Sequence, residues 1–91
     1  MAKPSYPAAM QHFVQLFYSD HCFGCPAART VVRQFAAQNA DIAVAEFDVA
    51  IHAGLARKYG VVATPAIVVD DGRVLYGVPR LADLQLQILP R

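Results

Sequence analysis

The spacing of hydrophobic and polar positions along the chain changes several times, and each change marks the boundary of a predicted element. Residues 12–19, HFVQLFYS, form an aromatic and branched run that is typical of a largely buried β-strand. From Pro26 to Asn39 the apolar residues recur at helical spacing, and proline suits the first turn of a helix. The pattern therefore predicts a strand followed closely by a helix.

The next two segments repeat this alternation. Residues 42–49, IAVAEFDV, carry apolar residues on both faces, which is typical of a strand inside a sheet. Residues 52–60 predict a short helix that ends at Gly60. The first half of the chain is thus interpreted as strand, helix, strand and helix.

The remaining segment contains the clearest turn signal. Two branched runs within residues 66–77 flank Asp71-Gly72, and this pattern predicts a β-hairpin whose glycine takes a positive φ. Residues 80–89 predict a closing helix with its apolar side chains on one side. The chain therefore ends with a hairpin and a helix.

This order of elements predicts an α/β fold with the sequence β-α-β-α-β-β-α. A helical connection makes the first two strands parallel, and the hairpin adds an antiparallel edge. The result is a four-stranded mixed sheet covered by three helices. A chain of 91 residues has room for one core only, so we expect one domain over residues 12–91. The Pro- and Ala-rich residues 1–11 are interpreted as a loose lead-in.

Composition excludes several classes of protein. The chain is 56% hydrophobic and 16% charged, which excludes a disordered protein. Its net charge is +1 and its cations are scattered, so no nucleic-acid surface is indicated. No apolar run approaches the roughly 18 residues of a membrane span, and the first residues lack the apolar core of a secretory signal. We expect a cytoplasmic monomer without a membrane or nucleic-acid partner.

Cys22 and Cys25 are the only cysteines, and they lie between the first strand and the first helix. As a permanent staple they would close a very small loop and stabilise the fold little, and a reducing cytosol disfavours such a bond. At the start of a helix, free backbone amides stabilise a thiolate. The pattern therefore favours a redox centre in which Cys22 attacks a disulfide and Cys25 resolves the mixed disulfide. Its only cofactor is the Cys22–Cys25 disulfide itself.

Two other interpretations of the pair stay open at this point. Thiolates select soft metals such as Cu(I) or Zn, so a metal-binding module helped by His21 is the first. A structural zinc needs four ligands, however, and small copper carriers have a different order of strands and helices. The second is a redox-responsive interaction protein with low turnover. In the redox interpretation, His21 is a candidate for tuning the thiolate and Asp48 is a candidate proton acceptor.

The sequence CFGCP at 22–26 and the sequence GLARKYGVVATPAIVVDDGRVLYG at 54–77 resemble those of the thioredoxin-like superfamily. The chain is similar to small thioredoxin- and glutaredoxin-like proteins from Phe13 to Leu89. The resemblance implies a thiol–disulfide oxidoreductase acting on disulfide-containing proteins or small thiols, with an upstream reductase or glutathione as the electron source. It also implies that Pro65 is a cis proline facing the cysteines, with the Thr64 backbone available to a bound peptide.

The chain departs from that family at several positions. His21 stands where thioredoxins have tryptophan, and Phe23-Gly24 replaces their Gly-Pro, which tunes the redox potential. The direction of electron flow therefore does not follow from the resemblance. Leu16 replaces a buried aspartate that helps move the proton of the second cysteine. Gly77 stands alone where glutaredoxins have a glycine pair, which argues against glutathione as the dedicated partner.

Other residues near these motifs have simpler interpretations. We expect Phe23 and Gly24 to lie in the substrate contact surface, the alternative for Phe23 being a partly packed loop aromatic. His12 and His52 are predicted to be surface or element-boundary residues. Tyr59 is predicted to pack between helix and sheet, while Arg57 and Lys58 form a solvated face, and Asp70 and Asp71 are turn residues.

Overall fold

The computed structural model describes residues 11–70 and 72–88. Most of the predicted lead-in, Asp71 and the end of the last predicted helix lie outside the described residues. The elements follow the predicted order: β1 (His12–Tyr18), α1 (Cys25–Gln38), β2 (Ile42–Asp48), α2 (Ala53–Lys58), β3 (Ala66–Val68), β4 (Val74–Tyr76) and α3 (Leu81–Ile88).

The four strands form one mixed sheet in the order β2-β1-β3-β4. β1 runs parallel to β2 and antiparallel to β3, and β3 pairs antiparallel with β4. The predicted mixed sheet is confirmed. Because β1 is an interior strand, the loop that follows it emerges near the middle of the sheet edge, between β2 and β3.

Successive residues of β1 support different faces of the sheet, as the period of a strand requires. Val14 and Leu16 are fully buried in the cluster that includes Phe35 of α1 and residues of α3. Phe17 is fully buried in the other cluster, with Ala56 of α2. Each such side chain stabilises the fold by roughly 1.5–3 kcal/mol on burial. The three helices thus cover both faces, and within the described residues no helix is long and apolar enough to cross a membrane.

The helix boundaries differ slightly from the predicted ones. α1 begins at Cys25, one residue before Pro26, because the Ala28 N–H donates to the Gly24 carbonyl at 3.0 Å and makes Gly24 the residue that caps the helix. Asn39 ends α1 as predicted. Gly60 follows α2 with φ 72°, a left-handed conformation that glycine adopts without steric cost.

The β3–β4 hairpin is present, but its connection is longer than the predicted two residues. The Val69 N–H donates to the Arg73 carbonyl at 3.0 Å, so three residues separate this pair. Gly72 has φ 89° and donates its N–H to the Val69 carbonyl at 2.8 Å. This arrangement matches the three-residue hairpin loop in which a glycine in the left-handed region follows a turn.

His12 begins β1, which agrees with its prediction as a surface or element-boundary residue, and its side chain is largely buried. Its side chain is only 14% exposed, and its Nδ1 shares a hydrogen bond with a carboxylate oxygen of Asp70. The other oxygen of Asp70 accepts the Phe13 N–H, and Asp41 lies 3.9 Å from His12 Nε2. We call His12, Phe13, Asp41 and Asp70 the N-terminal clasp, since they tie the start of β1 to its neighbouring turns.

Candidate active site

The two cysteines form a disulfide, and the two residues differ in exposure. Their Cα atoms lie 5.4 Å apart, within the usual range for disulfides. Cys25 opens α1 and is only 3% exposed, whereas Cys22 lies in the loop after β1 and is partly exposed. A partner arriving from solvent therefore reaches Cys22 first.

The start of α1 carries no side chain that neutralises its amides. Gly24 makes no side-chain capping bond, and the first turn contains no acidic residue. Pro26 lies in that turn, where its missing N–H removes no helical hydrogen bond. The positive end of the helix dipole therefore acts on the cysteine loop, an environment that stabilises thiolates.

The Thr64-Pro65 peptide bond is cis, which confirms the prediction. The Thr64 hydroxyl hydrogen-bonds to the Ser19 hydroxyl at 2.8 Å, and the Pro65 carbonyl accepts the Gly77 N–H at 3.1 Å. A Cβ added to Gly24 would lie 3.7 Å from Pro65 Cδ. These contacts hold the cis proline beside the cysteine loop.

Exposed apolar side chains occur in the cysteine loop and in the loops before β3 and after β4. Phe23 is fully exposed, so the alternative of a packed loop aromatic is wrong. Val78 is half-exposed and approaches Gly24 so closely that a Cβ there would lie 3.0 Å from its Cγ2. Val62, two residues before Thr64, is also largely exposed. Exposed apolar side chains in and beside a reactive loop, such as Phe23 and Val78, are typical of a protein contact surface.

This geometry is shared with known proteins. A family model described as a thioredoxin domain matches residues 13–88. A thioredoxin of Methanocaldococcus jannaschii is 34% identical over 67 residues, which cover 72% of this chain and 79% of that protein. The chain belongs to the thioredoxin domain family. Together, family membership and the paired cysteines make it a thiol–disulfide oxidoreductase in the general sense.

Solved structures support this assignment to the thioredoxin family. A mutant thioredoxin from Halobacterium salinarum NRC-1 is 33% identical, with a TM-score of 0.76 over 85% of this chain and 71% of that one. The thioredoxin of Fasciola hepatica is 25% identical, with a TM-score of 0.76 over 87% of this chain and 79% of that one. The thioredoxin-like fold expected from the sequence is confirmed.

A charged network fastens the helix that carries Cys25 in this thioredoxin fold. Arg33 and Arg29 of α1 donate to the Glu46 carboxylate of β2 at 2.6 and 3.0 Å. The hydrogen bond from Arg33, offset in part by burial and assisted by Arg29, holds the pKa of Glu46 below its usual value. The Arg29 guanidinium also lies 4.4 Å from the centre of the Tyr18 ring. The network joins α1 to both β2 and the end of β1.

Other predicted residues take varied places in the fold. His21 is exposed in the turn before Cys22. The Asp48 carboxylate accepts the Ala50 N–H at 2.8 Å and so orders the turn after β2. Leu16 is fully buried in the cluster under α1.

Three expectations about framework residues hold. Tyr59 packs against Phe17, with ring centres 6.5 Å apart, which confirms its packing role. His52 is exposed beside Phe47 at the start of α2. Arg57 and Lys58 are exposed, as expected for a solvated face.

Sequence reasoning missed two residues that shape the site, Ser19 and Val78. Ser19 carries a turn signal, but its hydrogen bond to Thr64 spans 45 positions and leaves no local pattern. Val78 follows Gly77, and its packing on Gly24 depends on how the last loop is placed.

The structure also bears on the metal-binding alternative. Within residues 11–70 and 72–88, no group of three or more His, Cys, Asp or Glu side chains could hold a metal ion. The sheet follows the thioredoxin order, and the strand–helix order of small copper carriers is not found.

Proposed function

We propose that this protein exchanges electrons with disulfides of other proteins, with Cys22 as the nucleophile and Cys25 as the resolving thiol. The difference in exposure between the two residues supports these roles, because Cys22 is partly exposed and Cys25 is 3% exposed. The uncapped start of α1 favours the thiolate that such a nucleophile requires.

The proposed reaction has two steps. The Cys22 thiolate attacks one sulfur of the substrate disulfide, and the other substrate sulfur leaves as a thiolate that takes a proton from water. Cys25 then loses its proton and attacks the Cys22 sulfur, which releases the second substrate thiol and forms the Cys22–Cys25 disulfide. Two electrons pass from the protein to the substrate, and the reverse sequence oxidises a substrate dithiol.

The surface around the disulfide would bind the substrate. The Thr64 backbone would pair with an extended peptide, and the closeness of cis-Pro65 to the cysteine loop supports this proposal. Phe23 offers an exposed apolar side chain, and Gly24 lies against Val78 and close to Pro65. A protein segment meets these groups better than a small thiol does, because it spans all of them.

An upstream reductase would return the pair to the dithiol in a reducing cytosol, with no cofactor in this chain beyond the cysteines. The lone Gly77 leads us to propose a protein reductase ahead of glutathione as the donor. If a protein reductase is the donor, we expect this protein to have a thioredoxin-like reduction potential of about −270 mV. Glutaredoxins have reduction potentials of about −200 to −230 mV. Equilibration with glutathione redox buffers measures the reduction potential of the Cys22–Cys25 pair. A value above about −200 mV would contradict the proposal that this protein is a thioredoxin-like reductant supplied by a protein reductase.

Reduction of insulin by the dithiothreitol-reduced protein tests the roles of the cysteines. We expect Cys22→Ser to lower the rate to the background given by dithiothreitol alone. Cys25→Ser retains the attacking thiol, so we expect it to accumulate a mixed disulfide that mass spectrometry detects. Wild-type turnover that persists in Cys22→Ser would exclude the proposed mechanism.

A further inference from the structure

A groove adjoins the proposed substrate surface on the side of α2. Its volume is about 340 Å³, and its lining includes Thr64, the residue before the cis proline. The walls are mostly valine and alanine side chains, among them Val49, Ala56 and Val61. This volume lies at the lower end of the roughly 300–1,000 Å³ of ligand pockets, which suits a short stretch of peptide. We call it the α2 groove.

Arg57 is the charged residue in the lining of the α2 groove. Its side chain is exposed, and Gly54 leaves space beside it, since a Cβ there would lie 3.9 Å from Arg57 Nη2. The ion pairs seen in residues 11–70 and 72–88 do not include Arg57. An exposed guanidinium beside apolar walls complements a carboxylate that follows or precedes an apolar side chain.

The wall of the groove nearest the active site is held in place by Tyr76. The Tyr76 hydroxyl accepts the Val62 N–H at 3.2 Å and donates to the Gly60 carbonyl at 3.1 Å. These bonds join the loop before β3 to the edge strand β4. The groove is therefore formed before a ligand arrives, which lowers the entropy lost on binding.

We propose that the α2 groove binds a segment of the substrate protein that carries an aspartate or glutamate close to its disulfide-bonded cysteine. The neighbouring apolar side chain lies against Val49 and Val61, and the carboxylate pairs with Arg57. This inference rests on the proposed function, because the groove begins at Thr64, beside the reactive disulfide. Arg57 is thus a residue that determines specificity for the substrate.

Three matched peptides test the inference. Each contains one cysteine joined in a mixed disulfide to thionitrobenzoate, with a valine and then Asp, Asn or Lys beside the cysteine. Release of thionitrobenzoate by the reduced protein gives kcat/KM for each peptide, and parallel assays place the variable residue on either side of the cysteine. For an exposed ion pair we expect the Asp peptide to exceed the Lys peptide about fivefold in its better arrangement.

Arg57→Glu is the decisive variant, and Lys58→Glu is its control. Both change the net charge equally, but Lys58 lies outside the groove lining, over the Tyr59 ring at 6.0 Å. We expect Arg57→Glu to favour the Lys peptide, Arg57→Gln to remove the preference, and Lys58→Glu to keep the wild-type order. Thermal unfolding of each variant verifies that it is folded.

Each other outcome has a distinct meaning. Equal kcat/KM for the three peptides in the active wild-type protein would overturn the inference and leave the proposed function intact. The inference would also be overturned if Lys58→Glu changed the peptide preference as much as Arg57→Glu. It would likewise be overturned if Arg57→Glu changed the rate of reduction of glutathione disulfide but not the peptide preference. Failure of the wild-type protein to reduce any peptide, or a small uncharged disulfide, would overturn the proposed function itself.

Discussion

The two ends of β1 are built on opposite principles. At the His12 end, the N-terminal clasp satisfies the Phe13 N–H and one ring nitrogen of His12 with the Asp70 carboxylate. At the Tyr18 end, the chain leads into a loop that places a reactive disulfide, an exposed Phe23 and an uncapped helix start at the surface.

This difference shows how one strand serves stability and chemistry at once. Buried polar groups that find partners stabilise a fold, whereas uncapped amides and exposed apolar side chains contribute little to it. The site end keeps those groups available to a thiolate and to a substrate. The clasp stabilises the other end of β1, on the opposite side of the sheet, and so offsets the small contribution of the site end to stability.

The largest expected effect comes from breaking the clasp with Asp70→Ala. This change leaves the Phe13 N–H and the buried His12 ring without their carboxylate, so we expect a loss of about 1–3 kcal/mol in the free energy of unfolding. For a domain of this size, the melting temperature would fall by roughly 5–15 °C. Denaturant and thermal unfolding followed by circular dichroism measure both quantities.

Phe23→Ser is the matched control at the other end. Phe23 is fully exposed, so we expect the free energy of unfolding of the Phe23→Ser variant to differ from that of the wild type by less than about 0.5 kcal/mol. Insulin reduction should show the opposite ranking, with Phe23→Ser slower and Asp70→Ala near wild type at a temperature where both are folded. Equal stability losses in the two variants would contradict the division between the ends of β1.

The site end was easier to predict from the sequence than the clasp end. The cysteines, Pro26 and Thr64-Pro65 are local motifs, and the strand and helix periods around them are also local. The clasp joins His12 to Asp70 across 58 positions, a contact set by the antiparallel pairing of β1 with β3. Periodicity does not carry such register information, so the sequence predicts His12 as a surface or element-boundary residue but does not predict its pairing with Asp70.

The hairpin shows the same limit on a smaller scale. Asp71-Gly72 between branched runs is compatible with a two-residue or a three-residue connection. The pairing of Val69 with Arg73 selects the longer one, and that pairing follows from the position of β3 beside β1. Turn chemistry therefore predicted the positive φ of Gly72 but not the length of the loop.

A smaller effect is expected from the network that supports the site end indirectly, through α1. Because Arg33 and Arg29 lower the pKa of folded Glu46, its contribution to stability is present above the unfolded pKa of about 4.5 and is lost as the pH falls through the lower folded value. We expect Glu46→Gln to lower the free energy of unfolding by about 1 kcal/mol or less at pH 7, since the ion pairs of Glu46 with the two arginines are partly screened by solvent.

Urea unfolding between pH 7 and pH 3 measures this dependence. The difference between wild type and Glu46→Gln should narrow as the pH falls below about 4.5. Asp83→Asn is the control. The pKa of Asp83 is also lowered by a neighbouring arginine, Arg80, but this ion pair is exposed at the start of α3. A gap that stays constant down to pH 3 would show that Glu46 acts by packing and not by its charge.

The smallest expected effect concerns His21, the residue before Cys22. A protonated His21 favours a neighbouring thiolate, so His21→Ala should raise the midpoint of thiolate formation, measured by absorbance at 240 nm in the reduced protein. The shift should be a few tenths of a pH unit, because His21 is exposed and water weakens its charge. His52→Ala, which removes an imidazole that contacts Phe47 edge-on, is the control and should leave the midpoint unchanged. If neither variant moves the midpoint of thiolate formation, the thiolate is stabilised by the backbone amides at the start of α1 and not by His21. The chemistry at the site end of β1 would then depend on backbone geometry, whereas the clasp end depends on side chains.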